Sequence, residues 1–145
     1  MLNILLVSIR RGSISELAKG LSSDPEVCVD QVTSGAEALN TLGTKCPHLI
    51  IIDSGLPDTD ALDLVRQVIG VNAMVNTAVV SPLSDEDFHV KSEGLGVLCR
   101  LPPDPGSNDS RLLLRKLRRA LGLVDQSSNE EIVKEDRKPF LEVEL

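Results

Sequence analysis

Short runs of aliphatic residues recur along the chain and alternate with stretches in which apolar residues return every three or four positions. Five runs predict strands, over residues 3–7, 27–32, 49–52, 77–80 and 97–99. The first, third and fourth runs are continuously apolar, which is typical of parallel strands covered on both faces. The second alternates and predicts a less buried strand.

The stretches between these runs carry helix-start signals. Ser13-x-x-Glu16 and Ser34-x-x-Glu37 have the pattern of capping boxes. Acidic residues at 85–87 favour a helix start because they complement the helix dipole. Helices are also predicted over 61–69 and 110–121. The repetition of strand and helix predicts an α/β fold, a doubly wound parallel sheet with helices on both faces and right-handed crossovers.

The pattern fades near residue 122, which predicts one domain over 1–121 and a tail over 122–145. The tail carries seven acidic and three basic side chains, and the chain has a net charge of −7. A flexible or loosely docked tail is expected. Its last six residues alternate like a strand, so docking on a partner or a sheet edge is the alternative. The basic segment 111–119 is interpreted as a solvated helix face that pairs with the acidic tail, and nucleic-acid binding is not expected.

Composition excludes several classes of protein. With three widely spaced cysteines and no C-x-x-C pair, we expect buried or half-buried free thiols in a reducing cytosol, and neither a disulfide framework nor a zinc site. No apolar run approaches the ~18 residues of a membrane span, and no signal peptide is recognisable. A cytoplasmic protein without membrane association is therefore expected.

A carboxylate follows the most apolar strand. Asp53 comes directly after four aliphatic residues, and Ser81 follows the next strand along the chain. Because ligands gather at the carboxyl ends of parallel strands, the two side chains are expected to converge on one crevice. A simple loop or helix cap is the alternative for Asp53.

The pattern Ile-Ile-Asp53-x-x-Leu56-Pro57-x-x-Asp60 resembles the phosphoacceptor strand and loop of response-regulator receiver domains. Val80-Ser81 and the run from Gly94 to Pro102 extend the resemblance to about residues 2–121. It implies a CheY-like, flavodoxin-like fold with five strands in the order 2-1-3-4-5.

The resemblance also implies roles for matching residues. Asp53 would accept a phosphoryl group from a histidine kinase, and Ser81 would contact that group. The Gly55 carbonyl, with Asp53, would be a ligand for Mg²⁺. The peptide bond before Pro102 would be cis, as in the family.

The sequence departs from the family where charge is needed. Ser8 and Ile9 stand at the acidic pair, and Leu101 (or Pro102, one residue on) stands at the lysine. Phosphoryl transfer depends mainly on positioning and charge neutralisation, and losing one electrostatic donor commonly costs ~2.7–4 kcal/mol of barrier. Weak or absent Mg²⁺ binding and no other cofactor are therefore expected.

Arg10 and Arg11 lie in the loop after the first strand and offer a substitute cation. We hypothesise that one of them contacts Asp53 and holds it ionised without metal; the alternative is that both extend into solvent.

The expected function is that of an atypical, non-enzymatic receiver module in phosphorelay-type signal transduction. The resemblance implies protein contacts through the fourth helix, fifth strand and fifth helix, over 85–94, 97–100 and 110–121. The partner would be a histidine kinase, a separate output protein or a second copy in a homodimer. One alternative is a receiver phosphorylated on Asp53. Another is a flavodoxin-like binder of small anions or nucleotides.

Overall fold

Five parallel strands form one sheet in the order β2-β1-β3-β4-β5, with helices on both faces. The computed structural model describes residues 2–10 and 12–123. The strands are β1 Leu2–Val7, β2 Val27–Val32, β3 Leu49–Asp53, β4 Asn76–Val80 and β5 Cys99–Leu101. The helices are α1 Gly12–Ser22, α2 Gly35–Leu42, α3 Ala61–Val71, α4 Asp85–Lys91 and α5 Ser107–Ala120. The predicted fold class and strand order are confirmed.

The sheet separates two hydrophobic cores because successive side chains of a strand point to opposite faces. Ile4, Leu6 and Ile51 pack on one face with leucines from α1 and α5. Leu5 and Ile50 pack on the other face with residues of α2, α3 and α4. Strands buried on both faces have no polar side, which explains the continuous apolar runs of β1, β3 and β4.

The fifth strand lies two residues later than its apolar run predicts. The amide of Leu98 donates to the Thr77 carbonyl at 2.7 Å, and the ladder then continues through Leu101. The sequence pattern ends before Arg100 because that residue is charged. On an edge strand, however, an arginine can reach a surface carboxylate, and Arg100 does so at Asp85.

Three expectations about helix starts have different outcomes. Ser34 is the N-cap of α2, with its side chain accepting from the Glu37 amide at 3.1 Å, although Glu37 itself accepts from the Thr33 amide. Ser13 is not the N-cap of α1, because the helix already begins at Gly12, directly after the loop that carries Arg10. α5 begins three residues before the predicted start, since its first turn is polar and falls outside the leucine pattern.

The structure also bears on three other expectations, which concern the cis peptide bond, the cysteines and the membrane span. All peptide bonds of the described residues are trans, so the cis bond implied before Pro102 is wrong; trans is the lower-energy form even before proline. Cys28 and Cys46 are exposed, contrary to the expected burial, because Cys28 lies on the edge strand β2 and Cys46 lies in the loop before β3. Cys99 is buried. Among the described residues, no helix has the length and apolar character needed to cross a membrane. The predicted tail falls almost entirely on 124–145, outside the described residues.

Candidate functional site

The register of the central strands places Ser8 beside Asp53. Val7 pairs with Ile52 across the β1–β3 ladder, so the next residue of each strand lies at the same carboxyl edge. Both side chains are fully buried. The Ser8 hydroxyl donates to Asp53 Oδ2 at 2.7 Å. The carboxylate therefore lies inside the protein, with a neutral donor at the first of the two positions where the resemblance implies acids.

Arg10 brings a guanidinium onto the same carboxylate. Its Nε donates to Asp53 Oδ2 at 2.7 Å and its Nη2 donates to Oδ1 at 2.9 Å. The Arg10 side chain is 33% exposed, whereas that of Asp53 is 0% exposed. Such a forked, charge-assisted pair combines electrostatic attraction with fixed geometry. Of the two alternatives open from the sequence, the structure shows the contact for Arg10; Arg11 lies outside the described residues.

The same guanidinium also reaches a third loop. Arg10 Nη2 donates to the Pro103 carbonyl at 2.9 Å, and the Arg10 amide donates to Ser8 Oγ at 3.0 Å. The hydrogen bonds to Asp53 raise the pKa of the Arg10 guanidinium above its usual value, so its charge is permanent. One side chain thus joins the loops after β1, β3 and β5. No sequence signal indicates Pro103, because its contribution is a backbone oxygen.

The donor set does not fit a magnesium ion. Mg²⁺ in proteins is bound through one or two carboxylates and keeps several waters in an octahedron. Here both Asp53 oxygens already accept from Arg10 or Ser8, and a cation sits where a second cation would have to approach. The described part of the chain has no group of three or more histidine, cysteine or acidic side chains placed to hold a metal.

The remaining positions named by the resemblance lie apart from the carboxylate contacts. Ile9 is 50% exposed, and Leu101 is 2% exposed and belongs to the core between the sheet, α1 and α5. Gly55 is exposed with φ at 81°, in the loop that follows Asp53. Neither the acidic-pair position Ile9 nor the lysine position Leu101 offers a charge to a ligand.

Ser81 is engaged in the loop that follows β4. It is buried, and its Oγ accepts from the Leu83 amide at 3.2 Å. Within the described residues it makes no hydrogen bond to Asp53, although its strand neighbour Val80 pairs with Asp53. The two side chains thus lie at the mouths of adjacent strands without a direct bond.

Arg100 couples Ser81 to α4. Its Nη1 donates to the Ser81 carbonyl at 2.9 Å, and its Nε donates to Asp85 Oδ1 at 2.7 Å. A basic residue inside a short, otherwise apolar edge strand is the signal that could have indicated this role from the sequence.

The loop that follows Asp53 is fixed to α2. Asp58 accepts from the amides of Gly35 and Ala36, both at 2.9 Å. These are first-turn amides that have no partner within the helix. The two hydrogen bonds hold the pKa of the Asp58 carboxyl below its usual value, and the bond from Gly35 has the larger effect. The loop is therefore held at both ends.

No protein-family model matches the sequence, and no curated protein matches it. Solved structures do match the fold. A receiver domain protein from Methanospirillum hungatei, described as CheY-like, is 16% identical with a TM-score of 0.73, covering 84% of this chain and 98% of its own. The chemotaxis response regulator CheY4 of Vibrio cholerae is 15% identical with a TM-score of 0.71, over 81% of this chain and 98% of its own.

The signal receiver domain of an HD-domain-containing protein from Pseudomonas fluorescens is 20% identical. Its TM-score is 0.72, over 83% of this chain and 90% of its own. At these identities the likeness concerns the fold and not the activity. The described part of the chain thus has the fold of CheY-like response-regulator receiver domains.

Proposed function

We propose that this protein is a non-enzymatic receiver module in signal transduction whose Asp53 is neutralised by Arg10 and not by a metal ion. The observation that carries the proposal is the forked contact from Arg10 to both oxygens of the fully buried Asp53. The receiver fold supports a signalling role. The charge at its centre supports the departure from a magnesium-dependent cycle.

The Arg10–Asp53 pair opposes the approach of a phosphoryl group. Transfer to a carboxylate brings anionic oxygens together, and a divalent ion normally offsets that repulsion. Here one positive charge already compensates one negative charge, and each carboxylate oxygen accepts at least one short hydrogen bond. A phosphoryl donor would have to displace Arg10 before Asp53 could attack it.

Signalling without phosphorylation requires contact with another protein. The proposed surface comprises α4, β5 and α5, where Val90 and Leu112 are exposed apolar side chains. Arg100 lies within this surface and holds the Ser81 carbonyl, so the loop after β4 is linked to it. The partner would be a kinase, an output protein or a second copy. The three unpaired cysteines fit a reducing compartment, and we place the module in the cytoplasm.

The deciding experiment is an NMR titration of the full chain with MgCl₂, followed by beryllofluoride. The proposal predicts no saturable shift changes at the amides of Asp53, Gly55 and Ser81. Saturable changes there would instead support the alternative, a receiver that is phosphorylated on Asp53.

A matched variant makes a negative result informative. In Ile9→Asp/Arg10→Ala the guanidinium is removed and an acid is added at an exposed position of the same loop. This variant is expected to gain a Mg²⁺ response at Asp53, which demonstrates that the titration can detect binding. A response in the unaltered chain as large as that of the variant would overturn the proposal.

The anion-binder alternative loses its main support. It relied on the cations of the loop after β1, and Arg10 is turned inward onto Asp53. A thermal-shift screen with nucleotides and flavins tests it directly, and a melting temperature unchanged by every ligand is expected.

A further inference from the structure

Basic side chains dominate the solvent-facing side of α5 after its first turn. After Asp109, every charged residue of the helix is an arginine or lysine. Arg118 is already paired with Asp24 at 2.8 Å. The other four cations, which we call the α5 basic face, are Arg111, Arg115, Lys116 and Arg119.

Most of this face lacks a counter-charge within the described chain. Among residues 2–10 and 12–123, Arg111, Lys116 and Arg119 form no ion pair. Arg111 donates only to the neutral side chain of Asn108 in its own helix. An anionic occupant would therefore find three cations on this face that have no ion-pair partner among the described residues.

An acidic segment begins just after this helix. Residues 124–145 carry seven acidic and three basic side chains, and α5 ends at Ala120. The helix is about 21 Å long at ~1.5 Å per residue, and an extended chain covers ~3.3 Å per residue, so the segment can return along its whole length. A tether of this kind gives an effective concentration in the millimolar range.

The composition of the segment also suits the apolar part of the face. Leu112 is 46% exposed between Arg111 and the later cations. The last six residues of the chain alternate apolar side chains with Glu142 and Glu144. Such a segment offers carboxylates to the arginines and an aliphatic side chain to Leu112.

We propose that the acidic segment 124–145 docks on the α5 basic face of the same chain. The occupant is this segment and not nucleic acid, because the chain as a whole has a net charge of −7. Docking covers the α5 part of the surface proposed above for partners, so a partner would have to displace it. The docking itself does not depend on how Asp53 behaves toward magnesium.

Paramagnetic NMR on the full chain tests the docking. A nitroxide is attached at Lys138→Cys after the three native cysteines are replaced, and line broadening of the α5 amides is measured. The proposal predicts broadening that extends to Arg111 at low salt and is lost in 0.5 M NaCl, where the screening length falls to roughly 4 Å.

Two charge variants locate the contact. Neutralising the segment with Glu142→Gln/Glu144→Gln, together with the same change at Glu130 and Glu131, leaves the folded domain untouched and should abolish the broadening. Reversing the helix with Arg111→Glu/Arg119→Glu should do the same.

Lys45→Glu/Arg66→Glu is the matched control, with an equal change in net charge in the loop before β3 and on α3. This control should retain the broadening of the α5 amides. The proposal is overturned if the neutralised segment still broadens α5, if the control loses the effect as fully as the α5 variant, or if the broadening centres on β2. It is also overturned if a mixture of labelled and unlabelled chains shows the effect between molecules, because a second copy would then be the occupant.

Discussion

Replacing Arg10 by alanine should be among the most destabilising single changes outside the two cores. The substitution leaves the Asp53 carboxylate fully buried with only the Ser8 hydroxyl as a side-chain donor. Removing one partner of a buried ion pair typically costs ~3–5 kcal/mol, because the remaining charge is uncompensated. Since Arg10 is 33% exposed, water can enter the space that it leaves, and the lower end of that range, about 3 kcal/mol, is expected.

The assay is urea unfolding of the full chain followed by circular dichroism. The midpoint should fall while the slope with denaturant stays constant. A thermal scan should show a decrease of roughly 10 °C, at ~3–5 °C per kcal/mol for a domain of this size. Arg66→Ala is the matched control. Its pair with Asp63 has a similar distance of 2.6 Å but is exposed on both sides, so a change of ~0.5 kcal/mol or less is expected.

A second substitution separates the lost charge from lost packing. Asp53→Asn in the Arg10→Ala background removes the unpaired charge, so the double variant should be more stable than Arg10→Ala alone. Arg10→Lys keeps the charge but loses the fork, and an intermediate destabilisation is expected. The reasoning is refuted if the two losses add, or if Arg10→Ala unfolds at the same urea concentration as the unaltered chain.

Three other predictions concern contacts around the site. In Gly20→Ala the new Cβ would clash with the Ser110 side chain at the α1–α5 contact, so a loss of ~1–3 kcal/mol is expected in urea unfolding, with partial rescue by Ser110→Gly. The pKa of Asp58 is lowered in the folded state, so the carboxylate stabilises the fold above the ordinary pKa of an aspartate. This stabilisation is lost as the pH falls through the lowered pKa. The acid limb of a curve of stability against pH should therefore be shallower in Asp58→Asn. Burial raises the pKa of the Cys99 thiol, so a disulfide reagent at pH 8 should modify the two exposed cysteines quickly and Cys99 slowly, and three equally fast thiols would contradict this.

The fold was predictable because its central strands are buried on both faces. Such strands need continuous aliphatic runs, and these runs appear in the sequence as β1, β3 and β4 with errors of one residue. The edge strand β5 was misplaced by two residues for the converse reason. One of its faces reaches water, so it contains Arg100, and a search for apolar residues stops short of it.

Asp53 was predictable for a local reason, whereas its partners were not. Its place after four aliphatic residues is directly visible in the sequence. Arg10 and Asp53 are 43 positions apart in the chain, and no local pattern distinguishes an arginine that makes such a contact from one that extends into solvent. The Pro103 carbonyl and the amides bound by Asp58 are backbone groups; every residue has the carbonyl and every residue except proline has the amide hydrogen, so no sequence pattern distinguishes them.

Under the proposed function, the contacts of Arg10 and Arg100 limit what can change in this domain. A magnesium-dependent site has a component that can arrive and leave, whereas a guanidinium is covalently part of the chain and is always charged. Arg10 joins the loops after β1, β3 and β5, and Arg100 joins the loop after β4 to α4. Under the proposed function, a signal enters through the surface of α4, β5 and α5, where a partner that draws Asp85 away from Arg100 would remove one of the two hydrogen bonds that connect α4 to the loop after β4.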